Sequence, residues 1–157
     1  MTAPAAAPRL VLVILAVRDL APMVAFYRDL LAATPTVEVP VYVELTLAGG
    51  MRLGLYVDTG FAANTGVLPP PTPPGALTRT ELYLHCDGAA LDAALTRATQ
   101  LGARVLSALA PRPWGDEAAY LCDPEGNTVV LARPLAPAAT CPRARCARPA
   151  RHAGIAR

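Results

Sequence analysis

The chain of 157 residues contains no lysine, and only 5% of its side chains are aromatic. The missing lysine excludes Schiff-base chemistry and the phosphate-binding lysine of a P-loop. The shortage of aromatic residues means that any binding pocket must be built from few large side chains. No apolar run reaches the roughly 18 to 20 residues of a membrane-spanning helix, and the N-terminus lacks the basic start of a signal peptide. We therefore expect a cytoplasmic protein without a membrane partner.

Charged residues are also scarce, at 17%, and they are unevenly distributed. Residues 1–133 contain nine arginines and all twelve acids, whereas residues 134–157 contain five arginines and no acid. Basic residues do not alternate with aromatic ones, so the arginine-rich end does not predict nucleic-acid binding. Because residues 134–157 also lack an apolar period, we predict a disordered basic tail.

The four cysteines do not follow a metal-binding or disulfide pattern. Cys86 and Cys122 lie in strand-like runs, where cysteine usually acts as a small buried apolar side chain. Cys141 and Cys146 lack the spacing of a zinc site, and His152 alone does not complete one. We do not predict a zinc site or a disulfide from them.

The clearest local signal is the run Tyr120–Leu131, in which two apolar segments flank Asp-Pro-Glu-Gly-Asn. Pro124 fixes φ for a turn, and Gly126 allows a positive φ. Asp123 and Asn127 can hydrogen-bond to the nearby backbone. This pattern predicts a β-hairpin that closes the folded domain.

The same order of elements is predicted twice along the chain. After a loose leader, residues 1–8, module one covers residues 9–57, with an almost continuously apolar first strand that predicts burial on both faces. Its other elements are a helix that follows Asp19 as N-cap and strands over residues 36–39, 41–48 and 51–57. Module two covers residues 79–133, with a strand over 79–86, a helix over 88–102, a strand over 104–108 and the hairpin. Because one βαβββ unit cannot close its own curved sheet, two must pack together and form a cleft.

The segment between the modules, residues 58–78, contains too much proline and glycine to predict a helix or a strand. A segment of this length without regular structure usually joins modules or covers a site. The sequence leaves both roles open.

Four motifs, in this order, resemble a known pattern: Ala16–Leu20, Phe26–Leu31, Pro113-Trp114-Gly115 and Asp123–Asn127. The chain is similar to the vicinal oxygen chelate superfamily, which includes glyoxalases, bleomycin resistance proteins and extradiol dioxygenases. This resemblance implies an α+β fold in which two paired βαβββ modules form a curved mixed-sheet cup. It also implies one domain over residues 9–133 and a homodimer, because cups in this superfamily can be built from modules of two chains.

Metal-dependent members of that superfamily place four histidine or glutamate ligands on the strands that line the cup. The resemblance carries these positions to Leu12, Glu44, Glu81 and Val130. Two of these residues are apolar, and a site with only two carboxylates lacks the donors of a catalytic transition-metal centre. His85 lies four residues beyond Glu81, about 13 Å along a strand, so it does not replace a missing ligand. We therefore expect no metal cofactor, with a divalent metal held by Glu44 and Glu81 as the alternative.

The remaining candidate ligand-binding residues of the cup are Tyr42, Glu44, Glu81, Tyr83 and Trp114. Strand periodicity places Tyr42 and Glu44 on one face, and Glu81 and Tyr83 on another. The two carboxylates could bind a cationic or hydrogen-bonding ligand, or one of them could act as an acid or base. Alternatively, each is neutralised by an arginine, such as Arg52 or Arg79, or by water.

Three functional hypotheses follow, and none of them identifies a catalytic residue. The first is a metal-free protein that binds a small aromatic or cationic molecule in the cup, as bleomycin resistance proteins do. The second is a metal-dependent lyase, isomerase or dioxygenase with a rearranged site, completed by the partner in a homodimer. The third is a regulatory or scaffold protein that acts through the basic tail.

Overall fold

The computed structural model describes residues 7–135. Eight strands and three helices lie in this part of the chain: β1 Leu12–Val17, α1 Leu20–Leu31, β2 Pro35–Val39, β3 Tyr42–Thr46, β4 Arg52–Val57, α2 Asp58–Thr65, β5 Glu81–His85, α3 Leu91–Gln100, β6 Arg104–Pro111, β7 Asp116–Cys122 and β8 Thr128–Pro134. No helix within residues 7–135 is long and apolar enough to cross a membrane. Most of the predicted tail, with Cys141, Cys146 and His152, lies outside the described residues, as does most of the leader.

The strands form two four-stranded mixed sheets with the same topology, which confirms the predicted α+β fold of two βαβββ modules. The first sheet has the order β1-β4-β3-β2 and the second the order β5-β8-β7-β6. In each sheet the first strand of the module runs parallel to the last, and the other neighbours are antiparallel. Within the described residues, no strand of one sheet is hydrogen-bonded to a strand of the other.

The helices α1 and α3 pack on the sheets of their own modules and contact each other, and the two modules share one apolar core. Phe26 and Tyr27 of α1, Ala98 of α3, and Leu53 and Leu131 of the two sheets belong to the same buried cluster. The Arg97 guanidinium of α3 also donates 3.4 Å hydrogen bonds to backbone carbonyls at the C-terminal end of α1. Each sheet therefore turns one face toward this core, and its opposite face, called the cup face below, is free to form a site.

The predicted burial of the first strand on both faces is wrong. Leu15 and Val17 are buried, but Ile14 on the cup face is 39% exposed. The apolar run is continuous because Ile14 and its neighbours line a concave surface. An apolar side chain that lines such a surface looks the same in the sequence as one that is buried in the core.

The segment over residues 58–78 was predicted to hold no regular structure, and this is wrong for its first part. Residues Asp58–Thr65 form α2, which ends at Gly66 with φ of 77°. The prolines that suggested a linker all follow this helix, and Gly60 inside it faces the Tyr56 ring, where a Cβ atom would collide. The missing side chain thus lets α2 pack on β4, while residues 66–80 form no helix or strand.

The turn of the hairpin connects module two to module one. Gly126 has φ of 99°, as its turn requires. Asp123 is 3% exposed and accepts hydrogen bonds from the backbone N–H groups of Glu125 and Asn127 and from the Tyr27 hydroxyl, the last at 2.6 Å. The N-cap residue of α1, Asp19, makes no side-chain capping bond. Instead, its N–H donates to the Glu125 carboxylate at 2.8 Å, so the turn of module two anchors the start of the helix of module one.

Candidate functional site

The cup face of the first sheet carries a buried carboxylate at its centre. Glu44 of β3 lies beside Gly54 of β4, which pairs in turn with Ile14 of β1. The residues that flank them along these strands, such as Leu45 and Leu53, point into the core. Period-two alternation therefore places Glu44 on the opposite face. The Glu44 residue is only 7% exposed.

Two donors hold the Glu44 carboxylate. Oε2 accepts a 2.7 Å hydrogen bond from the Tyr42 hydroxyl, and Oε1 accepts a 3.0 Å bond from Nη1 of Arg52. The Arg52 guanidinium is itself held, because its Nε donates to the Val11 carbonyl at 3.2 Å. Glu44 could either bind a ligand or be neutralised by an arginine. In this geometry, Arg52 is paired with the Glu44 carboxylate.

A glycine makes this arrangement possible. A Cβ atom at Gly54 would lie 2.7 Å from the ring and hydroxyl of Tyr42, so glycine leaves room for the Tyr42 ring beside β4. Burial, and then the hydrogen bond to Glu44, raise the pKa of Tyr42 to about 12. The hydroxyl consequently stays protonated at neutral pH and acts as a donor.

The cup face of the second sheet carries a different polar cluster, the Tyr83 network, formed by Tyr83, His85, Trp114 and Asp116. The indole Nε1 of Trp114 donates to the Tyr83 hydroxyl at 2.9 Å, and this hydroxyl donates to Oδ2 of Asp116 at 2.7 Å. Nε2 of His85 lies 3.2 Å from the same carboxylate oxygen. An aromatic platform, a carboxylate and an imidazole are thus brought together from β5, β7 and the turn between β6 and β7.

The exposure of these groups suits contact with a ligand. Trp114 is 56% exposed, whereas the Asp116 side chain is 15% exposed. Hydrogen bonds from Tyr83 and then from His85 lower the pKa of Asp116, so this carboxylate is ionised at neutral pH. The indole therefore lies open to solvent beside a sheltered negative charge.

Sequence reasoning missed Asp116 and assigned His85 no role in the cup. Asp116 follows the turn at Trp114 and Gly115, and it alternates with Ala118 and Tyr120 along β7, so the period-two rule could have placed it on the cup face. Its contact with His85 spans 31 residues, however, and no local pattern predicts such a pairing.

The four positions carried over as metal ligands do not form a metal site in this geometry. Val130 is fully buried beside Ala118 and Ala132, and Leu12 has no donor atom. Glu81 is exposed, and it lines a cavity of about 160 Å³ together with Arg52, the cation that already holds Glu44. Among residues 7–135, no group of three or more His, Cys, Asp or Glu side chains is placed to hold a metal ion. This donor set does not fit a divalent transition metal.

Comparison with known proteins agrees with the fold. A family model described as a glyoxalase-like domain matches residues 12–132. Among proteins of curated function, none matches the chain.

Several solved structures share the architecture at low sequence identity. A glyoxalase/bleomycin resistance protein/dioxygenase family enzyme from Burkholderia phytofirmans is 21% identical, with a TM-score of 0.68 over 82% of this chain and 100% of that one. A protein described in the same terms from Nocardioides is 21% identical, with a TM-score of 0.67 over 94% of this chain and 91% of that one. A variant of the fosfomycin resistance protein FosX from Listeria monocytogenes, complexed with Mn(II) and dihydroxypropylphosphonic acid, is 16% identical, with a TM-score of 0.60 over 80% of this chain and 89% of that one. Identities this low establish the common fold alone.

Proposed function

Because this chain belongs to the glyoxalase-like domain family, we propose that its cup binds a small, positively charged aromatic molecule without a metal ion. Members of one fold carry out many unrelated functions, so the family alone does not identify the ligand. The proposal rests on the side chains of the two cup faces.

The Tyr83 network is the observation that carries the proposal. Its hydrogen bonds fix the Trp114 indole through Tyr83, so little side-chain freedom remains to be lost when a ligand stacks on the exposed ring. An indole face attracts a cation more strongly than other aromatic rings do. The ionised Asp116 carboxylate beside it adds a second attraction for positive charge. Together these groups favour an aromatic cation over a neutral or anionic molecule.

The first sheet contributes shape and polarity to the same proposed site. We assign Tyr42, Glu44 and Glu81 to its walls, with Tyr83 and Trp114 as the stacking side. Since Tyr42 and Arg52 already hold Glu44, the exposed Glu81 is the carboxylate of this set that a ligand can reach without breaking an ion pair.

Trp114 is the only tryptophan, so its fluorescence reports directly on the proposed site. We expect berberine, a planar aromatic cation, to quench this fluorescence saturably. In calorimetric titration, Trp114→Phe and Asp116→Asn should each weaken berberine binding about five- to tenfold, because each removes one attraction for the cation. Asp92→Asn on α3, outside the cup, is the matched control and should bind like the parent protein. Equal affinity in the parent and in both cup variants would refute the proposal.

A metal-dependent lyase or isomerase is the second candidate. It is favoured by the position of Arg52, which is paired with Glu44 and lines the same small cavity as the exposed Glu81. Displacement of Arg52 would free the Glu44 carboxylate on the same side of the fold as Glu81. Thermal melting with added Ni, Zn, Mn and Fe separates the two candidates, since a metal that binds the folded protein raises its melting temperature. Metal-free binding predicts no shift, and a reproducible shift that Glu44→Gln abolishes would favour the enzyme.

We also propose a homodimer that covers part of the cup. Val37 and Val39 of β2 are 42% and 46% exposed. Covering such apolar side chains with a second chain would remove them from water. Light scattering should give twice the chain mass, and Val37→Lys should give the monomer. A parent protein that is monomeric at all concentrations would contradict this assembly.

A further inference from the structure

We propose that a cavity at the end of β1, which shares Ile14 with the cup face of the first sheet and is roofed by the segment after α2, binds an aromatic anion such as an aromatic carboxylate or sulfonate. This linker cavity has a volume of about 450 Å³ and lies between the end of β1, the start of β5 and the turn of the hairpin. Its apolar walls come from Ile14, Ala16, Leu77 and the prolines within residues 69–73. The volume lies within the range of small-molecule sites, and proline rings provide flat apolar surfaces for an aromatic ring.

The roof of the linker cavity is fixed by contacts with the hairpin. The N–H of Thr78 donates to the Gly126 carbonyl at 2.9 Å, and its hydroxyl donates to Oδ1 of Asn127 at 3.1 Å. A Cβ atom at Gly126 would lie 2.7 Å from Cγ2 of Thr72, so the roof rests directly on this glycine. Proline also restricts the backbone of the roof. The cavity is therefore formed before any ligand arrives, which lowers the entropy lost on binding.

The charges of the linker cavity favour an anion. Arg18 and Arg79 line it, and within residues 7–135 neither guanidinium makes a hydrogen bond or ion pair. Two acids line it as well, but the Glu125 carboxylate accepts 2.8 Å hydrogen bonds from the N–H groups of Arg18 and Asp19. Asp58 lies in the first turn of α2, where the helix dipole stabilises a negative charge. The acids are thus compensated by the protein, and the two guanidinium groups remain available to a ligand.

Guanidinium groups bind carboxylate and sulfonate oxygens through paired, charge-assisted hydrogen bonds. An aromatic anion would satisfy both the cations and the apolar walls. This ligand has the opposite charge to the one proposed for the cup, so the two sites can be tested separately.

Anilinonaphthalene sulfonate is the probe for the linker cavity, because its fluorescence rises in apolar surroundings. Phenylnaphthylamine, which has similar rings and no sulfonate, is the neutral control probe. We expect one saturable sulfonate site per chain, with affinity reduced about tenfold in Arg79→Gln and in Arg18→Gln. The exposed Arg9→Gln is the matched control and should bind the sulfonate like the parent. Circular dichroism should show that all variants are folded, since neither cavity guanidinium is paired with another of the residues that the structure describes.

Unchanged sulfonate affinity in both cavity variants would overturn the proposal. So would equal losses for the neutral probe, because the arginines would then act through the shape of the cavity and not through charge. Berberine binding in Arg79→Gln keeps this test separate from the proposed function of the cup. If berberine fails to bind while the sulfonate results hold, the cup proposal is wrong and the linker cavity stands.

Discussion

The ion pair between Glu44 and Arg52 should contribute measurably to the free energy of unfolding, unlike an ordinary surface pair. At the observed separation of 3.0 Å, Coulomb's law with an effective dielectric constant of about 20 gives roughly 5 kcal/mol. The Arg52 side chain is 40% exposed, however, and fully exposed pairs retain only about 0 to 1 kcal/mol. Because the Glu44 side chain is 9% exposed, we expect a coupling energy of about 1.5 to 2 kcal/mol.

A double-mutant cycle measures this coupling directly. Glu44→Gln, Arg52→Met and the double variant are compared with the parent by urea denaturation, followed by far-ultraviolet circular dichroism. Arg52→Met should be the most harmful single change, with a loss of about 2 to 3 kcal/mol, because it leaves a buried carboxylate with Tyr42 as its only donor. The double variant should recover part of this loss.

The matched control is the pair Arg28 and Asp29 on α1, which is linked by a 2.7 Å contact but whose side chains are 49% and 43% exposed. The cycle of Arg28→Met and Asp29→Asn should give a much smaller coupling energy, because solvent screens a pair this exposed. If the coupling between Glu44 and Arg52 is no larger than this control, the carboxylate is not held as the geometry indicates. Glu44 would then be free to act as a metal ligand or as a base.

Three further predictions concern the hairpin and the Tyr83 network. Tyr27→Phe removes a 2.6 Å hydrogen bond to the buried Asp123. Calorimetry should show that the free energy of unfolding falls by about 1.5 to 3 kcal/mol. A fall of less than about 0.5 kcal/mol would contradict the role of this hydrogen bond in joining the two modules. Gly126→Ala forces a side chain onto φ of 99°, so urea denaturation should show a loss of roughly 1 to 3 kcal/mol, and an unchanged midpoint would contradict the turn geometry. Hydrogen bonds, first from Tyr83, lower the pKa of Asp116 in the folded protein. The ionised Asp116 carboxylate therefore stabilises the fold above its unfolded-state pKa of about 3.9. This stabilisation is lost as the pH falls through the lower pKa of the folded protein. The difference in melting temperature between the parent and Asp116→Asn should therefore shrink below about pH 4, and a constant difference would refute this assignment.

Local patterns were sufficient to predict most of the fold. The hairpin at Asp123–Asn127 and the duplicated βαβββ order both depend on residues close together in the chain. The errors arose where local composition was ambiguous. The prolines beyond Gly66 led to the prediction of a linker over the whole segment, although α2 precedes them. The apolar run of β1 predicted burial on both faces, although one face lines the cup.

The candidate site was predicted less well because it depends on contacts between distant residues. Period-two alternation placed Tyr42 beside Glu44, and the structure adds Arg52 from the neighbouring strand. The contacts of Tyr83 with Trp114 and Asp116 bridge more than 30 residues, so no spacing rule could reveal them. Charge complementarity between distant groups becomes visible only when the strands are paired.

The central claim, ligand binding without a metal, is tested most directly by elemental analysis of the purified protein after incubation with Ni, Zn, Mn and Fe. The parent and Glu44→Gln should be measured together, after removal of loosely bound ions. The account predicts far less than one metal ion per chain, with no difference between the two proteins. One metal ion per chain in the parent, lost in Glu44→Gln, would contradict it and make the metal-dependent enzyme the leading function.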